Sequence, residues 1–393
     1  VTWQKYGANT ARYFGTEQLL AIEVQRTTGI RNPRGEGAVA GTPGTLPTNA
    51  SATLGAGLSR EVVGSYTING VDVVRIRVTG TYSGDSEGLA LYYLPDTQLL
   101  GTMAVGRAAT ASMFLRLVSG SFPASTSGPL RIVAEEWTTT TLLATRVSEP
   151  VSLTSTLTRP FLNILGQVTG VTRVRGAFQV YVNPGESVDF TIDIGWPQTE
   201  LFSFIPSTPI LPPVGTYPSS TTRGTDLVAA SLSSLGLGAN GACTILWAGS
   251  VFNTNYSTAG GEALTLVNVG DASATIRCEL RITNVGLPVM QRVTSAGASG
   301  VTFGAAVVPP NQLIRAGMTI YGNGRVAAAF DGYGDMRFME VGGAETVLNT
   351  ELRLGGNGTA GTRAMQGVTS ALYVSPTPVS GAELAATVAA FPI

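Results

Sequence analysis

Apolar and polar residues alternate with period two in short runs along most of this chain, and that pattern restricts its fold more than any other feature. In Val74-Arg75-Ile76-Arg77-Val78-Thr79 the apolar side chains share one face of an extended segment, and Arg and Thr share the other. Leu89–Leu94 follows the turn residues Gly84-Asp85-Ser86-Glu87-Gly88, so the two runs are expected to form a hairpin with a long loop. Met113–Val118 and Leu130–Trp137 repeat the pattern across the turn Ser119–Pro123. Further strands are expected at Gly176–Val182, Ser187–Ile194, Cys243–Ala248, Ala263–Val269, Ala274–Ile282, Arg325–Phe330, Asp335–Val341 and Glu351–Leu354. Short strands bounded by Gly, Pro, Asn and Ser argue for antiparallel sandwiches or barrels.

Helical signals are few. Thr225 is placed to cap a helix over Asp226–Leu235, with Gly236 as its stop, and Glu383–Phe391 is a second candidate closed by Pro392. Three segments read as linkers or long loops: Thr27–Gly57, Ser148–Pro160 and Pro206–Gly224. Ser148–Pro160 is the expected domain boundary, which gives domains 1–155 and 156–393. A further split is left open near Gly297–Gly300.

Composition narrows the chemistry. The chain has 393 residues and no histidine, so Ser-His, Cys-His and His-metal mechanisms are excluded within it. Charged residues are 12 % of the chain, against about 25 % in ordinary usage. The net charge of −1 exerts no long-range pull on nucleic acid or anionic lipid. The first fifty residues carry Lys5, Arg12, Arg26, Arg31 and Arg34 against Glu17, Glu23 and Glu36, too weak a balance for a basic arm. No run of about 18 apolar residues exists, so no membrane partner is expected through a spanning helix. Val1–Lys5 lacks the apolar core of a signal peptide, and a start at Val1 suits a chain cut from a larger precursor. Surface poor in charge and rich in Thr, Ser, Gly and Ala suits surface that other subunits cover.

No motif points to a cofactor or metal. Gly236–Gly241 spells GxGxxG, but a strand must precede and a helix follow for a dinucleotide site, and here the expected order is reversed. Asp331 and Asp335 flank a glycine turn and offer too few oxygens for calcium. Glu135 and Glu136 are adjacent on a strand and so point to opposite faces, unlike a catalytic pair. Cys243 and Cys278 have no metal spacing and are expected to be reduced and buried in one core. Arg75 with Arg77, and Arg173 with Arg175, each put two cations on one strand face. These four are the candidate contacts to nucleic acid, although such a stripe is more often a solvated or ion-paired face. Asn49, Asn255 and Asn357 begin glycosylation sequons that chance accounts for.

Three stretches together carry a resemblance. Val73–Gly84 followed by Leu89–Pro95 resembles the second and third strands of a picorna-like capsid jelly roll. Phe114–Gly120 followed by Pro129–Trp137 is similar to the last strands of that domain, and Gly166–Trp196 would open a second. The chain's size also resembles the large coat proteins of plant picorna-like (secovirid-type) icosahedral RNA viruses, which carry tandem jelly rolls. The resemblance implies an all-β fold of two antiparallel jelly-roll β-sandwiches in tandem, a third being left open. It implies a non-enzymatic capsid protein, located in the virion, whose partners are copies of itself, other coat subunits and, weakly, the packaged nucleic acid. The rival readings are a β-rich phage tail, spike or adhesin module, and a secreted β-sandwich glycosidase working with carboxylates. A coat subunit is expected to have Thr27–Gly57 and Pro206–Gly224 ordered by neighbouring copies, because each holds few large apolar residues.

Overall fold

A computed structural model describes residues 12–14, 19–22, 26–101, 103–123, 125–201, 206–223, 228–237, 242–251, 264–270, 277–283, 285–295, 297–304, 306–309, 312–331, 337–339, 351–354 and 367–391. The protein is all-β, built of antiparallel sheets, and divides into two compact units. The first holds the described residues of Arg26–Arg223. The second holds those of Gly224–Ile393 with the strands Arg12–Phe14 and Leu19–Ile22.

The first unit winds eight strands between two sheets. In chain order they are Val71–Thr81, Gly88–Leu94, Ala108–Ser121, Leu130–Trp137, Leu142–Val147, Phe161–Leu165, Arg173–Val182 and Ser187–Leu201. The first, eighth, third and sixth lie side by side in one sheet; the second, seventh, fourth and fifth lie side by side in the other. That order is the jelly-roll winding. Alternation decides which side chains meet between the sheets: Val74, Ile76, Val78, Phe190 and Ile192 from one, Leu91, Tyr93, Ile132, Phe178 and Val180 from the other. At Gly176 the opposing sheet leaves no room for a side chain, and a Cβ built there would stand 2.9 Å from Ala111 Cβ.

The winding corrects several expectations. Val71–Thr81 and Leu89–Leu94 are not a hairpin; they lie in different sheets. The hairpin partner of Val71–Thr81 is Leu58–Ile68, joined through Asn69 and Gly70 at φ 50° and 84°. Asn-Gly with both residues at positive φ is the two-residue turn whose twist matches a hairpin. The strands matched to the end of a jelly roll, Ala108–Ser121 and Leu130–Trp137, are its third and fourth. The last two are Arg173–Val182 and Ser187–Leu201.

The division into 1–155 and 156–393 therefore cuts through one sandwich. Ser148–Pro160 is not a linker: Val151 N–H donates to Leu130 O at 2.8 Å, and Thr158 N–H to Leu115 O at 3.0 Å. Its Pro- and Ser-rich composition reports irregular backbone, not absence of contact. The compact division falls after Arg223 instead. No break occurs near Gly297–Gly300, which sits in the strand Gly297–Thr302 paired with Pro288–Thr294.

The long loops pack on their own unit. Asn32 Nδ2 donates to Glu36 O and Thr48 O at 2.8 and 3.0 Å, and Glu36 N–H returns to Asn32 Oδ1 at 3.0 Å. Ser207 N–H donates to Glu200 Oε1 at 2.9 Å, and Ile210 N–H to Gln198 Oε1 at 3.0 Å. Buried side-chain amides and carboxylates satisfy these loop backbones where apolar packing is scarce.

The described strands of the second unit form two sheets. One runs Arg12–Phe14, Leu19–Ile22, Gly367–Ser375, Cys243–Val251, Leu313–Ile320, Val326–Phe330 and Arg337–Met339 in spatial order. The other runs Val228–Ser231, Glu351–Leu354, Leu264–Gly270, Arg277–Ile282, Pro288–Thr294 and Gly297–Thr302. Cys243 and Cys278 lie free and buried in the core between them. Burial pushes both thiols up to about 12. The helix expected over Asp226–Leu235 does not form in its described part, residues 228–235. Val228–Ser231 pairs with Glu351–Leu354, Ser233–Leu235 makes one 3₁₀ turn, and Gly236 ends it at φ 72°. A sheet partner more than a hundred residues away overrides the local helical spacing. The carboxy-terminal helix does form, over Gly381–Ala390, with a capping box between Ser380 and Glu383. Its Leu384 and Val388 pack on Leu246, Ala327 and Ala329.

Candidate functional site

The four candidate arginines do not converge. Arg75 and Arg77 alternate with the core residues Val74, Ile76 and Val78, so they occupy the outer face of the first sheet. Arg173 and Arg175 flank the core residue Val174 on the other sheet and lie on the opposite outside face of the sandwich. No single strand of nucleic acid laid on one face reaches both pairs.

On the first face, Asp193 stands in register between Arg75 on one neighbouring strand and Arg116 on the other. Arg75 donates to both carboxylate oxygens, at 2.8 and 3.1 Å, and Arg116 Nε donates to Oδ2 at 2.7 Å. Asp193 is 0 % exposed. The Arg75 guanidinium also lies 4.2 Å above the Tyr66 ring. The hydrogen bonds to Asp193 raise the Arg75 pKa further above its ordinary value. Arg77 makes a two-pronged pair with Asp189, at 2.9 and 2.8 Å, and there both partners are open to solvent.

The second face centres on Glu135. Its carboxylate accepts from Arg175 Nε and Nη2 at 2.8 and 2.6 Å, from Trp137 Nε1 at 2.9 Å, and from the Tyr92 hydroxyl. Arg175 stacks 4.8 Å over the Trp137 ring. Burial first, and the Glu135 hydrogen bond second, raise the Tyr92 phenol, so it stays protonated and donating. Next to it Tyr181 donates to Gln179 Oε1 at 2.7 Å. Arg173 makes no ion pair among the described residues. It flanks Trp137 in the ladder and is half-buried.

Chemically these are closed sets. Each carboxylate already accepts from guanidinium, and a paired arginine must give up an internal hydrogen bond before it can hold a phosphate. Glu136 points to the opposite face from Glu135, as adjacency on a strand requires, and accepts from Arg146 Nε and Gln167 N–H, both at 2.9 Å. It cannot share a cleft with Glu135. Among the described residues no group of three or more Cys, Asp or Glu side chains could hold a metal. Asp331 pairs with Arg315 at 2.8 Å; Asp335 lies outside the described residues, as do Gly238–Gly241 and the sequons at Asn255 and Asn357. No helix among the described residues is long and apolar enough to cross a membrane.

The acids that complete these networks were not singled out from sequence, although their signal is there. Asp189 and Asp193 recur at strand period in Ser187–Ile194, the mirror of the arginine stripe at Arg75 and Arg77. Nothing local tells that the two stripes are neighbours.

No protein-family model matches the chain, and no curated protein matches it. Slight likenesses to solved structures exist. The CBM40 of the Ruminococcus gnavus IT-sialidase is 18 % identical over 40 % of this chain and 86 % of its own, with TM-score 0.32. A SAP-like pentraxin from Limulus polyphemus is 13 % identical over 39 % of this chain and 71 % of its own, with TM-score 0.31. The CBM22-1-CBM22-2 tandem of Paenibacillus barcinonensis Xyn10C is 9 % identical over 87 % of this chain and 99 % of its own, with TM-score 0.23. Similarity this slight leaves the fold to be read from the strand pairing itself.

Proposed function

We propose that this chain is a non-catalytic coat subunit of a picorna-like type, which assembles with copies of itself into an icosahedral shell around a nucleic acid. The observation that carries the reading is the eight-strand jelly-roll winding of the first unit, a fold that viral capsids use repeatedly. The fold also serves lectins, so it does not decide function alone. Three further features favour a structural role. The buried carboxylate at the centre of each outer face of the first sandwich, Asp193 on one and Glu135 on the other, is paired with arginine within it. The chain is nearly neutral, which lets copies lie side by side without repulsion. Repetition by symmetry then sums modest contacts into a stable shell. Contact with the packaged nucleic acid is weak in this reading. Arg173 and the exposed Arg77 are its best remaining candidates, since Arg75 and Arg175 are engaged by buried acids.

Electron microscopy and sedimentation velocity of the purified full chain test the proposal. Closed particles of uniform size are the expected result. A monomer at all concentrations overturns it and favours the tail, spike or adhesin reading, for which the self-supporting loops Thr27–Gly57 and Pro206–Gly224 would serve as preformed contact surface.

A further inference from the structure

We infer that the strand Phe161–Leu165 is a self-association edge, which pairs antiparallel with the same strand of a second copy about a two-fold axis at Asn163. The inference rests on the reading that copies of this chain associate, and it names the contact. The strand ends its sheet, bonded on one side to Ala108–Ser112 with no bulge. Its other edge carries the unpaired backbone groups of any terminal strand. Natural sheets block such edges with charges, prolines within the strand, bulges or brevity. The other edges of this unit are blocked in those ways. Leu58–Ile68 carries Arg60, Glu61 and a bulge between Val62 and Gly64. Leu142–Val147 carries Arg146, Thr221–Arg223 carries Arg223, and Ser51–Leu54 has four residues.

Phe161-Leu162-Asn163-Ile164-Leu165 has none of these blocks. Instead Phe161 and Leu165 are each 44 % exposed, on the same sheet face as Asn163. Val105, 60 % exposed, sits in the adjoining loop, whose Gly106 N–H donates to Gly166 O at 2.8 Å.

A second copy fits this edge for two reasons. The segment is uncharged and the chain's net charge is −1, so two copies meet without like-charge repulsion. The residue order is also self-complementary. A two-fold at Asn163 sets Phe161 opposite Leu165 of the second copy, Leu165 opposite its Phe161, and Asn163 opposite Asn163. This is an isologous contact that buries both exposed apolar pairs and continues the sheet. The uncharged edge Gly297–Thr302 of the second unit offers no large exposed side chain to bury.

The register supplies the test. Residues directly opposite in an antiparallel pair have Cα atoms about 4.5–5.5 Å apart, within the span of a disulfide. In the full chain, Asn163→Cys under mild oxidation is expected to give a covalent dimer. Phe161→Cys, which faces a leucine, is expected to give none. Asn163→Lys sets two ammonium groups opposite each other and is expected to weaken dimerisation about tenfold or more. Leu142→Lys, at the blocked edge of the other sheet, is expected to leave it unchanged. Circular dichroism and the thermal midpoint establish that each variant folds. Equal cross-linking at 161 and 163, or an Asn163→Lys variant that dimerises like the parent, overturns the inference. Particles that form without the cross-link at 163 overturn this contact and leave the coat reading standing. A cross-linked dimer without particles supports the contact and defeats the coat reading.

Discussion

Arg75 meets Asp193 directly across two adjacent strands, with both carboxylate oxygens accepting from one guanidinium, at 2.8 and 3.1 Å. The acid is fully buried, and Arg116 closes on it from the other side. One carboxylate thus ties the first, eighth and third strands of the jelly roll together outside the apolar core.

Asp193→Ala leaves two guanidiniums without a counter-charge. It is expected to cost about 3–5 kcal/mol, the usual penalty for breaking a buried pair by removing one partner. Asp189→Ala, at the solvent-exposed pair with Arg77, is expected to leave the unfolding midpoint where it was. Urea unfolding of both variants checks the contrast. Equal losses would mean that burial does not separate the two pairs.

Gly176→Val is expected to destabilise the first unit by about 1–3 kcal/mol through overpacking. A Cβ at this position would meet Thr199 Oγ1 at 2.5 Å and Ala111 Cβ at 2.9 Å, both on the opposing sheet. Ala111→Gly in the same chain should recover part of the loss. The readout is the thermal midpoint of the single and double variants.

Glu87 accepts from Ser125 Oγ at 2.6 Å, Ser127 Oγ at 2.6 Å and Ser127 N–H at 3.0 Å, and these bonds hold its carboxyl down to about 2. A depressed folded-state pKa contributes stability above the unfolded value, and that stability drains away as pH falls through the folded one. The window runs from about pH 4.5 down to about 2. Glu87→Gln should therefore lower stability near neutrality, flatten its fall across that range and converge with the parent near pH 2, as measured by unfolding at stepped pH.

Cys243 and Cys278, buried and pushed up to about 12, are expected to resist alkylation in the native protein at pH 8 and to react fully once it is unfolded. Mass spectrometry after iodoacetamide treatment reads this directly. A linked pair, or rapid native labelling, would contradict the structure.

Much of the class was legible from local pattern. Alternation placed strands within a few residues at Val71–Thr81, Leu130–Trp137, Cys243–Val251 and Val326–Phe330, because a half-buried strand must show one face to the core and one away from it. The capped helix at Gly381–Ala390 and the buried thiols followed from equally short-range signals. Asn69-Gly70 is as plain a turn signal as any, yet the strand before it, Leu58–Ile68, alternates poorly and gives no clear strand signal of its own.

Sequence by itself determined that this protein is antiparallel β with little charge, no histidine chemistry and two cysteines set in apolar strands. It could not determine which strands are neighbours. Period two assigns a side chain to a face but names no partner, and the jelly roll joins Val71–Thr81 to Ser187–Leu201 across more than a hundred residues. The boundary at Ser148–Pro160 failed for that reason. The arginine pairs likewise read as open stripes until the winding brought Asp193, Asp189 and Glu135 against Arg75, Arg77 and Arg175. Only tertiary structure decided that, because the energy of a charge depends on what faces it, and in a sheet that is set by non-local pairing.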